Sequence, residues 1–84
     1  SDEPDDSGYD QDLPDIVRLV IRTGQASVSM IQRRVSIGYQ RACKIIDQME
    51  RFNFIGPYNG SKAREVYVTR EKFKEFFGED VDDD

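Results

Sequence analysis

Between Tyr39 and Phe52 apolar and polar residues recur at the period of an α-helix, and they do so on two separate faces. At about 100° per residue, Tyr39, Ala42, Ile45, Ile46, Met49 and Phe52 fall within an arc of roughly 140°, which has to be packed against something. The opposite arc, roughly 120° wide, holds Gln40, Arg41, Lys44, Asp47, Gln48 and Arg51, all able to hydrogen-bond at a distance from the backbone. A helix written this way is half core and half exposed polar surface. The rest of the chain must therefore supply a core for one face and leave the other open.

With 84 residues there is material for one domain and one modest core. Cys43 is the single cysteine and there is no histidine, so neither a disulfide nor a structural zinc can help, and apolar packing has to suffice. Pro14 suits the first turn of a helix, and Ile16, Val17, Val20 and Ile21 recur at helical spacing until Gly24 stops the run. The alternation in Ala26-Ser27-Val28-Ser29 predicts a short strand. Ser29 is then expected to cap a second helix, Met30 to about Val35, ended by Ile37-Gly38. After the Tyr39–Phe52 helix, Phe54-Ile55 and Glu65-Val66-Tyr67-Val68 predict two short strands joined by a loop with Pro57, Asn59-Gly60, Lys62 and Arg64. A last helix from about Arg70 to Phe77, capped by Thr69, would lay Phe73, Phe76 and Phe77 over the core.

This order predicts an α+β fold, mostly α: a winged helix-turn-helix with a three-helix core, a β-hairpin wing and an extra C-terminal helix. Residues 1–12 are expected to be a disordered acidic linker, 13–77 the folded domain and 78–84 a disordered acidic tail. No run approaches the length of a membrane span and the acidic start is unlike a signal peptide, so a cytosolic setting is expected.

The formal charge of -5 conceals a strong segregation. Residues 1 to 15 carry seven acids and no base, and residues 78 to 84 carry five acids and no base. All twelve basic residues lie between 16 and 77 with only five acids, a net +7 suited to phosphate. The acidic ends are expected to compete with DNA only weakly, because a Debye length of about 8 Å screens mobile charges.

In the helix-turn-helix plan the second helix of the pair enters the major groove. Arg41 and Lys44 lie one turn apart near its start, and Arg41 has the fork that pairs with guanine O6 and N7. Gln40 and Asp47 add adenine-type and cytosine-type partners, with Gln48 and Arg51 completing the face. Arg33 and Arg34 on the preceding helix, and Ser61, Lys62 and Arg64 on the wing, are placed to hold phosphates or the minor groove. Arg18 and Arg22 read as surface charges, Tyr39 and Tyr67 as core or core-edge aromatics, and Cys43 as a space-filler. Without histidine, a glycine-rich phosphate loop or a metal-ligand cluster, the chain offers no catalytic constellation and no cofactor site, and it is read as a non-enzyme.

The stretch from Ala26 to Arg34, followed by Ile37-Gly38-Tyr39 and Arg41-Ala42, resembles the gamma domain of the FtsK/SpoIIIE DNA translocases. Ile46-Asp47-Gln48-Met49-Glu50, Gly56 to Lys62 and Arg64-Glu65-Val66 are similar to the same family, especially its sporulation-type members. The resemblance covers residues 13 to 77. It implies the C-terminal module of a membrane-anchored, hexameric, ATP-driven motor that moves chromosomal DNA, with the module on the cytoplasmic side. It implies binding to short, polar, G-rich duplex sequences that orient loading and direction, with several copies side by side on one site. The motor domain of the same polypeptide is an implied partner, as in some members is a Xer-type recombinase, and a module that docks the recombinase or the motor is the rival reading. Family members commonly carry Asn or Thr at the position of Gln40, Ala at that of Cys43 and Arg at that of Lys44, so the reading face departs from the pattern while Arg41 keeps it.

Overall fold

A computed structural model describes residues 9–58, 60 and 64–81. The first helix, α1, spans Leu13–Thr23 with Pro14 in its opening turn, and it buries Leu13, Ile16, Val17 and Val20. Gly24 ends it in the left-handed region at φ 71°, returning its N–H to the Val20 carbonyl at 2.8 Å.

The second helix, α2, spans Val28–Arg34. The expected strand at 26–29 is absent. Ser27, not Ser29, is the cap: it is extended, and its hydroxyl accepts from the Met30 N–H at 3.1 Å. Both serines satisfy the capping rule, and the apolar alternation of Ala26 and Val28 imitates a strand because Ala26 is buried just before the helix starts.

The third helix, α3, spans Tyr39–Arg51 and packs Ala42, Ile45, Ile46 and Met49 into the core against α2. Tyr39 is instead 64% exposed. It sits at the rim of the apolar arc and in the first turn, where the arc no longer has a core to face. The helix closes on Asn53 at φ 66°, with Asn53 N–H on the Glu50 carbonyl and Phe54 N–H on the Met49 carbonyl at 2.8 Å. That is the paired bonding of a Schellman ending, and the apolar contact expected beside it is available from Met49 and Phe54, both fully buried.

The expected β-hairpin reduces, among the described residues, to one antiparallel bridge between Ile55 and Val66. Gly56 N–H donates to the Glu65 carbonyl, and Tyr67 and Val68 N–H both donate to that of Phe54. Sharing one carbonyl ends the regular pairing on the Val68 side, and no strand is formed among the described residues. The described architecture is thus mostly helical rather than an established α+β winged helix. Ser61 and Lys62, placed on the wing from the sequence, lie outside the described residues.

The fourth helix, α4, spans Arg70–Phe77, capped by the Thr69 hydroxyl, which accepts from Lys72 N–H at 3.1 Å. It packs on α1 with Phe73 fully buried. Packing continues beyond residues 13–77. Tyr9 stacks edge-on to Phe52 and Phe77, with ring centres 6.4 and 5.3 Å apart, and Val81 is 2% exposed. Arg18 is not a simple surface charge: its guanidinium lies over the Phe73 ring at 5.0 Å and bonds Asp15, Glu79 and the Val81 carbonyl. Arg22 donates to the same carbonyl at 3.0 Å.

Candidate nucleic-acid interface

Burying Ala42, Ile45, Ile46 and Met49 fixes the rotation of α3 and turns the opposite arc outward. Gln40, Lys44, Asp47 and Arg51 are exposed there, while Arg41 and Gln48 are half-buried. These six residues share one face, as their spacing requires.

Arg41 is occupied. Its Nε donates to Asp10 Oδ2 at 3.0 Å and its Nη2 to Asp10 Oδ1 at 2.8 Å, a two-pronged pairing, and Asp12 Oδ2 lies 2.9 Å from the same Nη2. The main-chain N–H of Asp10 donates to Gln48 Oε1 at 2.9 Å. Two members of the polar face are therefore held by the segment before α1. The hydrogen bond from Arg41 keeps the Asp10 carboxyl below its ordinary range, against the opposing effect of burial, and the Asp12 N–H and the charges of Arg41 and Lys44 add to the lowering. Reciprocally, the Asp10 hydrogen bond raises the Arg41 guanidinium.

Sequence reasoning missed Asp10 and Asp12 because it treated residues 1–12 as one acidic run. The available signal was Tyr9, the only aromatic residue in that run and so the one able to anchor it.

On α2, Arg33 and Arg34 are exposed and line an open hollow with Thr23, Gln25 and Met30. Arg64 does not extend freely from the loop. Its Nη1 donates to Glu50 Oε1 at 2.9 Å and to the Gly56 carbonyl at 3.2 Å, and its guanidinium lies 5.8 Å from the Tyr58 ring centre. Tyr58 and Tyr67 are exposed beside it, lining a shallow hollow with Gly56, Pro57 and Glu65. Tyr67, expected at the core edge, is 42% exposed. Cys43 is half-buried and free, one turn from Tyr39, whose hydroxyl is raised chiefly by a hydrogen bond to it.

Among the described residues, no three His, Cys, Asp or Glu side chains are grouped to hold a metal ion. No helix among them is long and apolar enough to cross a membrane.

The chain matches the family model described as "Ftsk gamma domain" over residues 7–69. It is 53% identical over 68 residues to a DNA translocase FtsK of Halalkalibacterium halodurans, covering 81% of this chain and 8% of that protein. It is 48% identical over 73 residues to the DNA translocase SpoIIIE of Bacillus subtilis, covering 87% and 9% respectively. A DNA translocase FtsK of Caldanaerobacter subterraneus is 44% identical over 69 residues, or 82% and 10%. The chain thus spans a tenth or less of the length of these relatives. The match to the family model over most of the chain, together with relatives at this identity, means that the chain belongs to the FtsK gamma domain family.

Proposed function

We propose that this chain is a non-catalytic, sequence-reading double-stranded DNA-binding module of the winged helix-turn-helix type. It recognises short, polar, G-rich chromosomal motifs and so orients the loading and direction of a hexameric DNA translocase. The observation that carries this reading is the outward polar face of α3, set on a helix pair, in a chain of the FtsK gamma domain family.

In this reading α3 lies in the major groove and the segment from Phe54 to Val68 acts as the wing. Arg41 is the leading base reader, with guanine O6 and N7 as its targets, and Gln40 and Asp47 suit adenine and cytosine edges. Lys44 supplies a point donor, and Gln48 and Arg51 complete the footprint. Arg33, Arg34, Ser61, Lys62 and Arg64 hold phosphates or the minor groove and set register without reading sequence. The ATP-driven motor is a separate domain of the same membrane-anchored polypeptide, with this module on the cytoplasmic side. Several modules sit side by side on one site, and a Xer-type recombinase is a further partner.

Fluorescence anisotropy with a labelled G-rich duplex across a salt series tests the reading. A net +7 between residues 16 and 77 should give affinity that falls steeply with salt, and a G-rich duplex should outcompete a scrambled one. No binding at low salt would overturn it in favour of a module that docks a protein.

A further inference from the structure

Two residues of the α3 face that the proposed function assigns to DNA, Arg41 and Gln48, are held by the chain's own segment before α1. We propose that residues 9–12 form an intramolecular clamp in which Asp10 and Asp12 hold Arg41 in competition with DNA. The inference rests on the reading that α3 binds duplex DNA, and it adds a regulated state to that site.

Two features point the same way. Asp10 takes the Nε and Nη2 donors of Arg41 together, and Asp12 adds a second carboxylate at Nη2, so one cation faces two anions. The carboxylate oxygens present to the guanidinium what a guanine edge or a phosphate would present, a pair of acceptors in one plane.

The clamp is built rather than incidental. Tyr9 is seated among the Phe52, Phe76 and Phe77 rings, with ring centres 6.4, 6.0 and 5.3 Å away. At the other end, the Asp10 carbonyl accepts from Leu13 N–H and its Oδ1 accepts from Asp12 N–H, both at 2.9 Å, which ties the segment to the start of α1. Gln48 holds the middle through the Asp10 N–H. Release requires undocking Tyr9 and breaking these bonds while the core helices stay as they are. DNA therefore meets a site whose open form is only a fraction of the population, and apparent affinity falls by that fraction.

The experiment measures binding of a labelled G-rich duplex at one fixed low salt concentration by the wild-type chain and its variants. Asp10→Asn/Asp12→Asn should bind about five- to tenfold more tightly. The same double change placed in an Arg41→Ala background should give no gain, since the clamp's target is gone. Glu71→Gln/Glu75→Gln, which removes two charges from α4 instead, should stay within about twofold of wild type. Tyr9→Ala releases the anchor without altering charge and should also tighten binding, which keeps the test open if the aspartate variant folds poorly by circular dichroism.

Unchanged affinity in Asp10→Asn/Asp12→Asn overturns the clamp, and so does a gain that persists without Arg41. Weaker binding with a reduced preference for the G-rich duplex overturns it as well, and makes Asp10 a positioning residue that aims Arg41. If neither wild type nor any variant binds duplex at low salt, the DNA-binding reading itself fails, a result distinct from the other three.

Discussion

Arg18 Nε, on α1, donates to the main-chain carbonyl of Val81 at 3.1 Å, across 63 residues of sequence. The bond brings the segment after Gly78 back onto the α1–α4 pair, where Val81 is buried and Glu79 meets the same guanidinium. An arginine that reads as a surface charge thereby serves as the anchor of the C-terminal end, with Phe73 beneath its guanidinium plane.

Removing residues 79–84 should therefore destabilise the domain. Burying a valine contributes about 1.5 kcal/mol, and the bonds to Arg18 add roughly another 1 kcal/mol. A loss near 2.5 kcal/mol lowers Tm by about 10 to 20 °C in a chain of this size. Thermal melts of the truncated and full chains measure it, with Val81→Ala expected to show about half the effect. An unchanged Tm would show that these contacts contribute nothing net.

Helices α1, α3 and α4 are legible because each carries a local signal: Pro14 and Gly24, the two-faced run from Tyr39, and Thr69 ahead of Phe73, Phe76 and Phe77. The capping site of α2 is not, since Ser27 and Ser29 both satisfy the local rule and only the burial of Ala26, Met30 and Ile31 selects between them. The hairpin pattern in the sequence describes alternation but not register, and among the described residues the double use of the Phe54 carbonyl ends the pairing on one side of a single bridge. On the polar face, all six residues of α3 follow from periodicity. The engagement of Arg41 and Gln48 by Asp10 does not, because Tyr9 marks an anchor in the acidic run without saying which distant residues the run docks on.

Asn53 holds a left-handed conformation that glycine adopts without cost. Asn53→Gly should be neutral or slightly stabilising, within about 0.5 kcal/mol. Asn53→Val should cost about 1 to 2 kcal/mol, since a β-branched side chain clashes at positive φ. Urea unfolding curves distinguish the two. Equal stabilities for Val and Gly would show that the Schellman ending relaxes without loss.

The Asp10–Arg41 pair makes part of the stability depend on pH. Arg41 holds the Asp10 carboxyl below its ordinary 3.8, so the unfolded chain takes up a proton that the folded chain refuses. The pair's contribution is thus fully present above the ordinary value and is lost as pH falls through the lower, folded-state value. Being partly open to water, it is worth about 1 kcal/mol or less. The stability gap between wild type and Asp10→Asn should hold constant above roughly pH 5 and close as the solution is acidified. A gap that widens in acid would mean the carboxylate destabilises the fold.

The readers and the holders on the proposed DNA face should fail in different ways when removed. Arg41 lies in the first turns of α3 with a fork suited to guanine, whereas Arg33 lies exposed at the end of α2, beside a hollow rather than in the groove-facing arc. Arg41→Ala gives up a two-pronged base contact worth about 1 to 3 kcal/mol of discrimination. It also removes the clamp's target, so its total affinity should fall less than the lost base contact alone accounts for. Arg33→Ala should weaken G-rich and scrambled duplexes alike and lower the salt slope by about one ion. The measurement is the ratio of specific to non-specific affinity for each variant at one salt concentration, with folding checked by circular dichroism. A ratio that collapses for Arg33→Ala and survives in Arg41→Ala would move the reading of sequence from α3 to α2.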